Sequence, residues 1–204
     1  MPIPTPAFTS GDVATECQLT PPWGSAHANI LATLLDGALP YTSAELAGRT
    51  FADYVPSAMD WANITAVDDG TDTGNSTYAE NANNTLAGIN QTLTLEISVP
   101  SFEVNCTGAG SPSVDGNLDI IKNGSVVATL NKTRSSAGST TSAASTTITV
   151  VSGDTLRFAT YCTVSTIFGV ASGGGGGTVS VINQSSSNTV LDTFVFSMAA
   201  TITL

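Results

Sequence analysis

Ala144–Val164 reads ASTTITVVSGDTLRFATYCTV. Thr146, Ile148 and Val150 alternate with Thr147, Thr149 and Val151 until Ser152-Gly153-Asp154 interrupts the run, and Leu156, Phe158 and Tyr161 resume it. β-Branched and aromatic residues at a period of two, split by a Gly-Asp turn, predict two antiparallel strands. The C-terminal half is organised around this pair.

Working outward, the same period predicts strands over Gln91–Val99, Phe102–Cys106, Asn117–Lys122, Ser125–Asn131, Thr146–Val151, Thr155–Thr163, Thr178–Asn183 and Val190–Ile202. Asn123-Gly124 is a strong hairpin signal, because both residues accept positive φ. Short strands at this spacing predict a mainly β chain whose residues 93–204 form an immunoglobulin-like antiparallel β-sandwich. Ser135–Ser145 is expected as a polar loop and Gly173–Gly177 as a glycine loop. A phosphate-binding loop is not expected there, since Thr178 starts a strand and no Lys-Ser/Thr opens a helix.

Upstream the pattern changes. Residues 1–9 hold three prolines and should be extended. Short helices are expected over 11–19, over 25–36 with Gly37 as its cap, and after the capping box Thr42-Ser43-Ala44-Glu45. Residues 1–62 thus read as an arm with short helices, too little to make its own core. The expected use of its apolar side chains is docking onto other subunits through Trp23, Ile30, Leu31, Leu34, Phe51, Tyr54 and Trp61; packing on the β domain is the other reading. Residues 63–92, rich in Asn, Asp, Gly and Thr, are expected as an acidic polar spacer. From Asp69 this segment places Gly74 and Glu80 where a calcium loop needs them, but Thr71 and Thr73 stand where carboxylates belong, so a solvated turn is expected.

Charge separates the halves. Residues 1–103 hold 12 acids and one base, and residues 104–204 hold four of each, so the net charge of −11 lies in the first half. That balance disfavours nucleic acid and anionic membrane as partners, and no stretch is apolar enough to span a bilayer. The opening MPIPTPAFTSGDV lacks the basic and apolar regions of a secretory signal. The eight Asn-x-Ser/Thr sequons are therefore expected to be chance products of an Asn/Ser/Thr-rich sequence.

No residue set compels a reaction, and neither cofactor nor metal site is expected. His27 is the sole histidine, without a nucleophile elbow beside it. Asp115, Asp119, Asp154 and Asp192 fall at turns and strand ends, where aspartate serves turn chemistry. Cys106 and Cys162 both lie on expected strands, which leaves two readings open: a disulfide within the β domain, or two buried free thiols. Cys17 is expected to be unpaired. Tyr78 and Tyr161 join Trp23, Trp61 and Tyr54 as candidates for carbohydrate stacking or anchoring, with core packing preferred for Tyr161.

Val150–Phe158 (VVSGDTLRF) followed by Gly177–Met198 (GTVSVINQSSSNTVLDTFVFSM) resembles the immunoglobulin-like domains of tail-fibre and other structural proteins of tailed bacteriophages. Gly153-Asp154-Thr155 and Asp192-Thr193-Phe194-Val195 carry the likeness, and Ile120–Leu130 (IIKNGSVVATL) resembles a hairpin common in the same modules. More loosely, Ser10-Gly11-Asp12-Val13 and Thr42–Gly48 resemble helix starts of phage minor tail proteins. The resemblance implies a non-enzymatic virion component assembled in a bacterial cytoplasm. Its implied partners are other virion proteins, copies of itself and, as the alternative function, a host receptor or surface glycan, with capsid decoration as a further role. Any receptor site is expected in the loops at 135–145 and 173–177.

Overall fold

In the computed structural model, residues 59–86, 92–151, 153–185 and 188–204 are described. They form ten strands: β1 Ile64–Ala66, β2 Ala79–Glu80, β3 Asn84–Thr85, β4 Thr92–Gly108, β5 Ser113–Lys122, β6 Ser125–Arg134, β7 Gly138–Val151, β8 Thr155–Ser165, β9 Val170–Asn183 and β10 Thr189–Thr203. Two sheets result, one in the order β1-β10-β9-β4-β7 and one in the order β2-β8-β5-β6, with β3 also on β8. The chain is mainly β, and the described residues contain no helix. The short helices expected within residues 1–58, along with Cys17 and His27, lie outside the described residues.

Alternation sets the two layers. Along β8, Leu156, Phe158, Cys162 and Val164 are buried in a core shared with Leu95, Ile97, Val99 and Val104 of β4 and Phe194, Phe196 and Met198 of β10. Phe158 meets Phe194 of the other sheet with ring centroids 4.9 Å apart, a contact worth about 1 kcal/mol beyond its buried area.

The two expected turns fold against each other. Asn123 and Gly124 take φ of 52° and 79° between β5 and β6, the twist a two-residue hairpin requires. Asn123 Nδ2 donates to Asp154 Oδ1 at 2.7 Å, and the backbone N–H of Val151 donates to Asp154 Oδ2 at 2.9 Å.

Four expectations change. The strands expected at 91–99 and 102–106 are one, β4, whose pairing with β7 shifts between Val99 and Phe102; Pro100, which has no N–H to give, sits in the shift. The loop expected at 135–145 is strand from Gly138 onward, paired with Ser98–Cys106. Its residues 138–145 are largely exposed, so this sheet-edge segment needs no apolar alternation and Ser/Thr suffices. The segment expected as a spacer contributes β1, which pairs in parallel with Phe196–Met198, and β2 and β3, which pair with β8.

The fourth change is the largest. Gly173–Gly177 lies inside β9, paired with Gly173↔Ala200 through Gly177↔Phe196 on one side and Gly173↔Cys106 through Gly176↔Glu103 on the other. A Cβ on Gly175 would stand 2.0 Å from the Glu103 carbonyl oxygen, and one on Gly174 2.3 Å from that of Met198. A Cβ on Gly173 or Gly177 would press on Val164 or Val99 at 2.8 Å. Glycine is there because the strand has no room for a side chain.

Candidate functional site

Among the described residues, three surface features stand out once the core is accounted for. The most chemically varied is the outer face of the β2-β8-β5-β6 sheet. Alternation directs Asp115, Asn117 and Asp119 of β5 outward, opposite Thr163, Tyr161 and Ala159 of β8 and Thr133, Asn131 and Thr129 of β6. Tyr78, just before β2, approaches from beyond β8, and its hydroxyl donates to Asp119 Oδ2 at 3.3 Å. Since β8 lies between β2 and β5, the Tyr78 side chain crosses β8 to reach Asp119, and Ala159, the β8 residue opposite Asp119, is fully buried although it points outward. A larger residue at 159 would obstruct that crossing.

Tyr78 and Tyr161 touch, with ring centroids 5.6 Å apart and planes tilted by 37°. Half of Tyr78 remains exposed, whereas Asp119 is buried. Thr129 Oγ1 donates to Asp119 Oδ1 at 2.6 Å, so both oxygens of that carboxylate are occupied. Asn131 Nδ2 donates to Asn117 Oδ1 at 2.8 Å and also to Asp115 Oδ1. At the same level Asn75 Oδ1 accepts from Thr163 Oγ1 at 3.1 Å. Burial, followed by the Asp119 charge, pushes the Tyr78 phenol up to about 12. Burial and then the charges of Asp119 and Asp115 also raise that of Tyr161. Both phenols therefore stay protonated at neutral pH and present neutral rings. Glu80 pairs with Arg157 at 3.1 Å beside them.

The second feature is a shallow groove of about 580 Å³ over the glycine strand, on the outer face of the other sheet. Its walls include Ser101, Glu103, Asn105 and Thr107 of β4 and Ala199 of β10. The groove exists because β9 has no side chains there. The third is an apolar turn between β8 and β9, where Ile167 and Phe168 are exposed together with Val170 and Leu204. Thr166 Oγ1 lies 2.5 Å from the Ala109 carbonyl oxygen, and the N–H of Leu204 donates to the Gly169 carbonyl, which fixes this turn to its neighbours.

The expected site residues separate into two groups. Trp23, Ile30, Leu31, Leu34, Phe51 and Tyr54 lie outside the described residues. Trp61 is buried: Nε1 donates to the Leu156 carbonyl at 3.1 Å, and the indole stands edge-on to Phe158 with centroids 5.3 Å apart. It packs on the β domain, the other of the two readings for the arm. Cys106 and Cys162 are both free and buried, so the disulfide reading gives way to the thiol reading. Cys106 lies on β4 and Cys162 on β8, in different sheets, and Cys106 Sγ donates to the Ser136 carbonyl at 3.0 Å.

Asp154 serves the turn described above, and Asp192 Oδ2 accepts the backbone N–H of Trp61 at 2.6 Å. In the former calcium-loop candidate, Asp69 accepts from the N–H of Thr71 at 2.9 Å, while Glu80 is engaged with Arg157. Hydrogen bonds from the Thr71 hydroxyl and N–H hold the Asp69 carboxyl below its ordinary value. The described residues contain no group of three or more His, Cys, Asp or Glu placed to hold a metal ion.

The Tyr78–Asp119 arrangement was not visible in the sequence. Tyr78 could be singled out as an aromatic residue in a polar segment, but its partner stands 41 residues away. The expected receptor loops are strand from Gly138 onward and throughout Gly173–Gly177, and they carry no aromatic side chain, whereas the aromatic platform lies on a sheet face.

No protein-family model matches this chain, and no curated protein matches it. Among solved structures it is similar to CfaE, the adhesive subunit of the CFA/I fimbria of enterotoxigenic Escherichia coli. That match has 11% identity and a TM-score of 0.32. A mutant of the same adhesin matches at 9% identity and a TM-score of 0.30. In both matches the alignment covers 70% of this chain and 46% of the adhesin, so the chain spans about half the adhesin's length.

Proposed function

We propose that the chain is a structural component of a tailed-bacteriophage virion, associated with the tail as part of a fibre. In this reading it attaches through its N-terminal region to other virion proteins and copies of itself, and displays an immunoglobulin-like β-sandwich. Two kinds of support stand behind it: the sequence resemblance of Val150–Phe158 and Gly177–Met198, and the way the body is laid out.

The observation that carries it is the separation of two ends. The N–H of Met59 donates to the Leu191 carbonyl near the start of β10, and Leu204 bonds to Gly169 beyond its finish. Thirteen residues of strand separate these points, on the order of 40 Å at about 3.3 Å per residue. The segment leading to residues 1–58 thus joins the body at one end, and the Ile167–Phe168 turn is at the other. A rigid two-layer body with its connection at one end suits display on an assembly.

The immunoglobulin-like assignment has its support in β4 to β10, which are divided between two sheets, β4, β7, β9 and β10 in one and β5, β6 and β8 in the other, and are paired antiparallel throughout. The parallel pairing of β1 with β10 departs from that pattern. To test the function, the full chain and a chain starting at Met59 are supplied during infection, and purified particles are probed for each. The reading expects the full chain in particles and the shortened one folded in the lysate but absent from particles. Equal incorporation of both would overturn it.

A further inference from the structure

We infer that the outer face of the β2-β8-β5-β6 sheet is a binding site for an uncharged saccharide, which stacks on Tyr78 and Tyr161 and directs its hydroxyls to Asp115 and Asn131. This site is independent of the virion reading, and each can fail without the other.

The simpler account of Tyr78 is that it is a cover for Asp119. That explains its hydroxyl bond and the burial of the carboxylate. It does not explain Tyr161, whose hydroxyl makes no hydrogen bond among the described residues and whose ring extends the surface that Tyr78 begins. Nor does it explain the polar array beyond that ring. Asp115 is exposed and gives one oxygen to Asn131, leaving the other open to solvent, and Asn131 itself is exposed. Two aromatic rings in contact beside acid and amide groups supply what a sugar requires: an apolar platform for its C–H face and fixed acceptors, the free Asp115 oxygen and Asn131 Oδ1, for its hydroxyls.

Charge narrows the ligand. Asp115 and Asp119 both lie close enough to act on the Tyr161 phenol, and Arg157, the one cation on this face among the described residues, is engaged by Glu80. A sialic or uronic acid would meet uncompensated carboxylates. A quaternary ammonium ion gains most from a naked carboxylate and an enclosing set of rings. Here Asp119 already accepts from Tyr78 and Thr129, Asp115 has one oxygen taken by Asn131, and two rings do not enclose a cation.

The test applies the full chain to an array of uncharged oligosaccharides ending in glucose, galactose or N-acetylglucosamine, with sialylated counterparts beside them. The best-retained oligosaccharide is then titrated calorimetrically. Retention of uncharged sugars is expected, weakened at least about tenfold by Tyr161→Ala and by Asp115→Ala. Tyr161→Phe keeps the platform and should stay within about threefold, and Glu103→Gln on the opposite sheet should change nothing. Unfolding of Tyr161→Ala would leave the decision to Asp115→Ala, which alters an exposed side chain. The inference is overturned by failure to retain any uncharged oligosaccharide, by retention unaffected in Asp115→Ala, or by competition from tetramethylammonium, which would make the platform a cation site.

Discussion

The indole N–H of Trp61 donates to the carbonyl of Leu156, 95 residues further along the chain. Asp192 accepts the backbone N–H of the same residue. Trp61 therefore ties the residues ahead of β1 to the β body. Trp61→Ala should lower stability by about 3–5 kcal/mol, the cost of emptying a large buried site, with loss of the indole hydrogen bond included. Urea denaturation of the full chain checks this. A change below about 1 kcal/mol would mean that the indole does not anchor the body.

Two glycines make opposite predictions about space and backbone. Gly175→Ala places a methyl group 2.0 Å from the Glu103 carbonyl oxygen, and neither strand can retreat without breaking its ladder. Loss of the folded state, or destabilisation beyond about 4 kcal/mol, is expected. Gly124→Ala meets no atom within 4 Å but retains a φ of +79°, so it should cost only about 1–2 kcal/mol. Thermal melts of the two variants measure the contrast.

Asp154 gives the pH dependence a sign. Hydrogen bonds from Asn123 and from the Val151 N–H, aided by Lys122, hold its carboxyl below the ordinary value of 3.8. A carboxyl depressed in the folded state stabilises above its unfolded pKa, and that contribution disappears as pH falls through the folded value. The advantage of the native protein over Asp154→Asn should thus be full near pH 7 and shrink below about pH 4. Urea midpoints for both proteins across this range would show it, and a constant difference would refute it.

The buried thiols predict redox indifference. Burial raises the pKa of Cys106 and pushes that of Cys162 up to about 11, so neither is an effective nucleophile near neutral pH. Both should resist a thiol reagent in the folded protein and react in denaturant without prior reduction. Peptide mapping that found Cys106 joined to Cys162 would contradict the structure.

Much of this body was legible because burial writes itself into sequence wherever one strand face meets the core. Leu93 to Val99, Leu156 to Val164 and Val190 to Ile202 alternate, and Asn123-Gly124 marks its own turn. The rest obeys constraints that a linear pattern does not carry. Residues 138–145 lie at a sheet edge, largely exposed, and so show no apolar period. β1 to β3 are two or three residues long and exist only because β8 and β10 offer them edges. Glycine in β9 answers to backbone on both sides, a requirement set by strands remote in sequence. The tyrosine platform was legible only as separate aromatic residues, since the register of β5 on β8 decides what stands beside them.

The display reading depends on a body that is continuous from the Met59 end to the Phe168 end, and the five-glycine segment of β9 is the stretch on which that continuity depends. Amide hydrogen exchange across Gly173–Gly177 tests it most directly. Protection of Gly173 to Gly176 comparable to that of Ser180 and Val181 is predicted, because these residues are paired on both sides. Exchange at the rate of an open loop would contradict it.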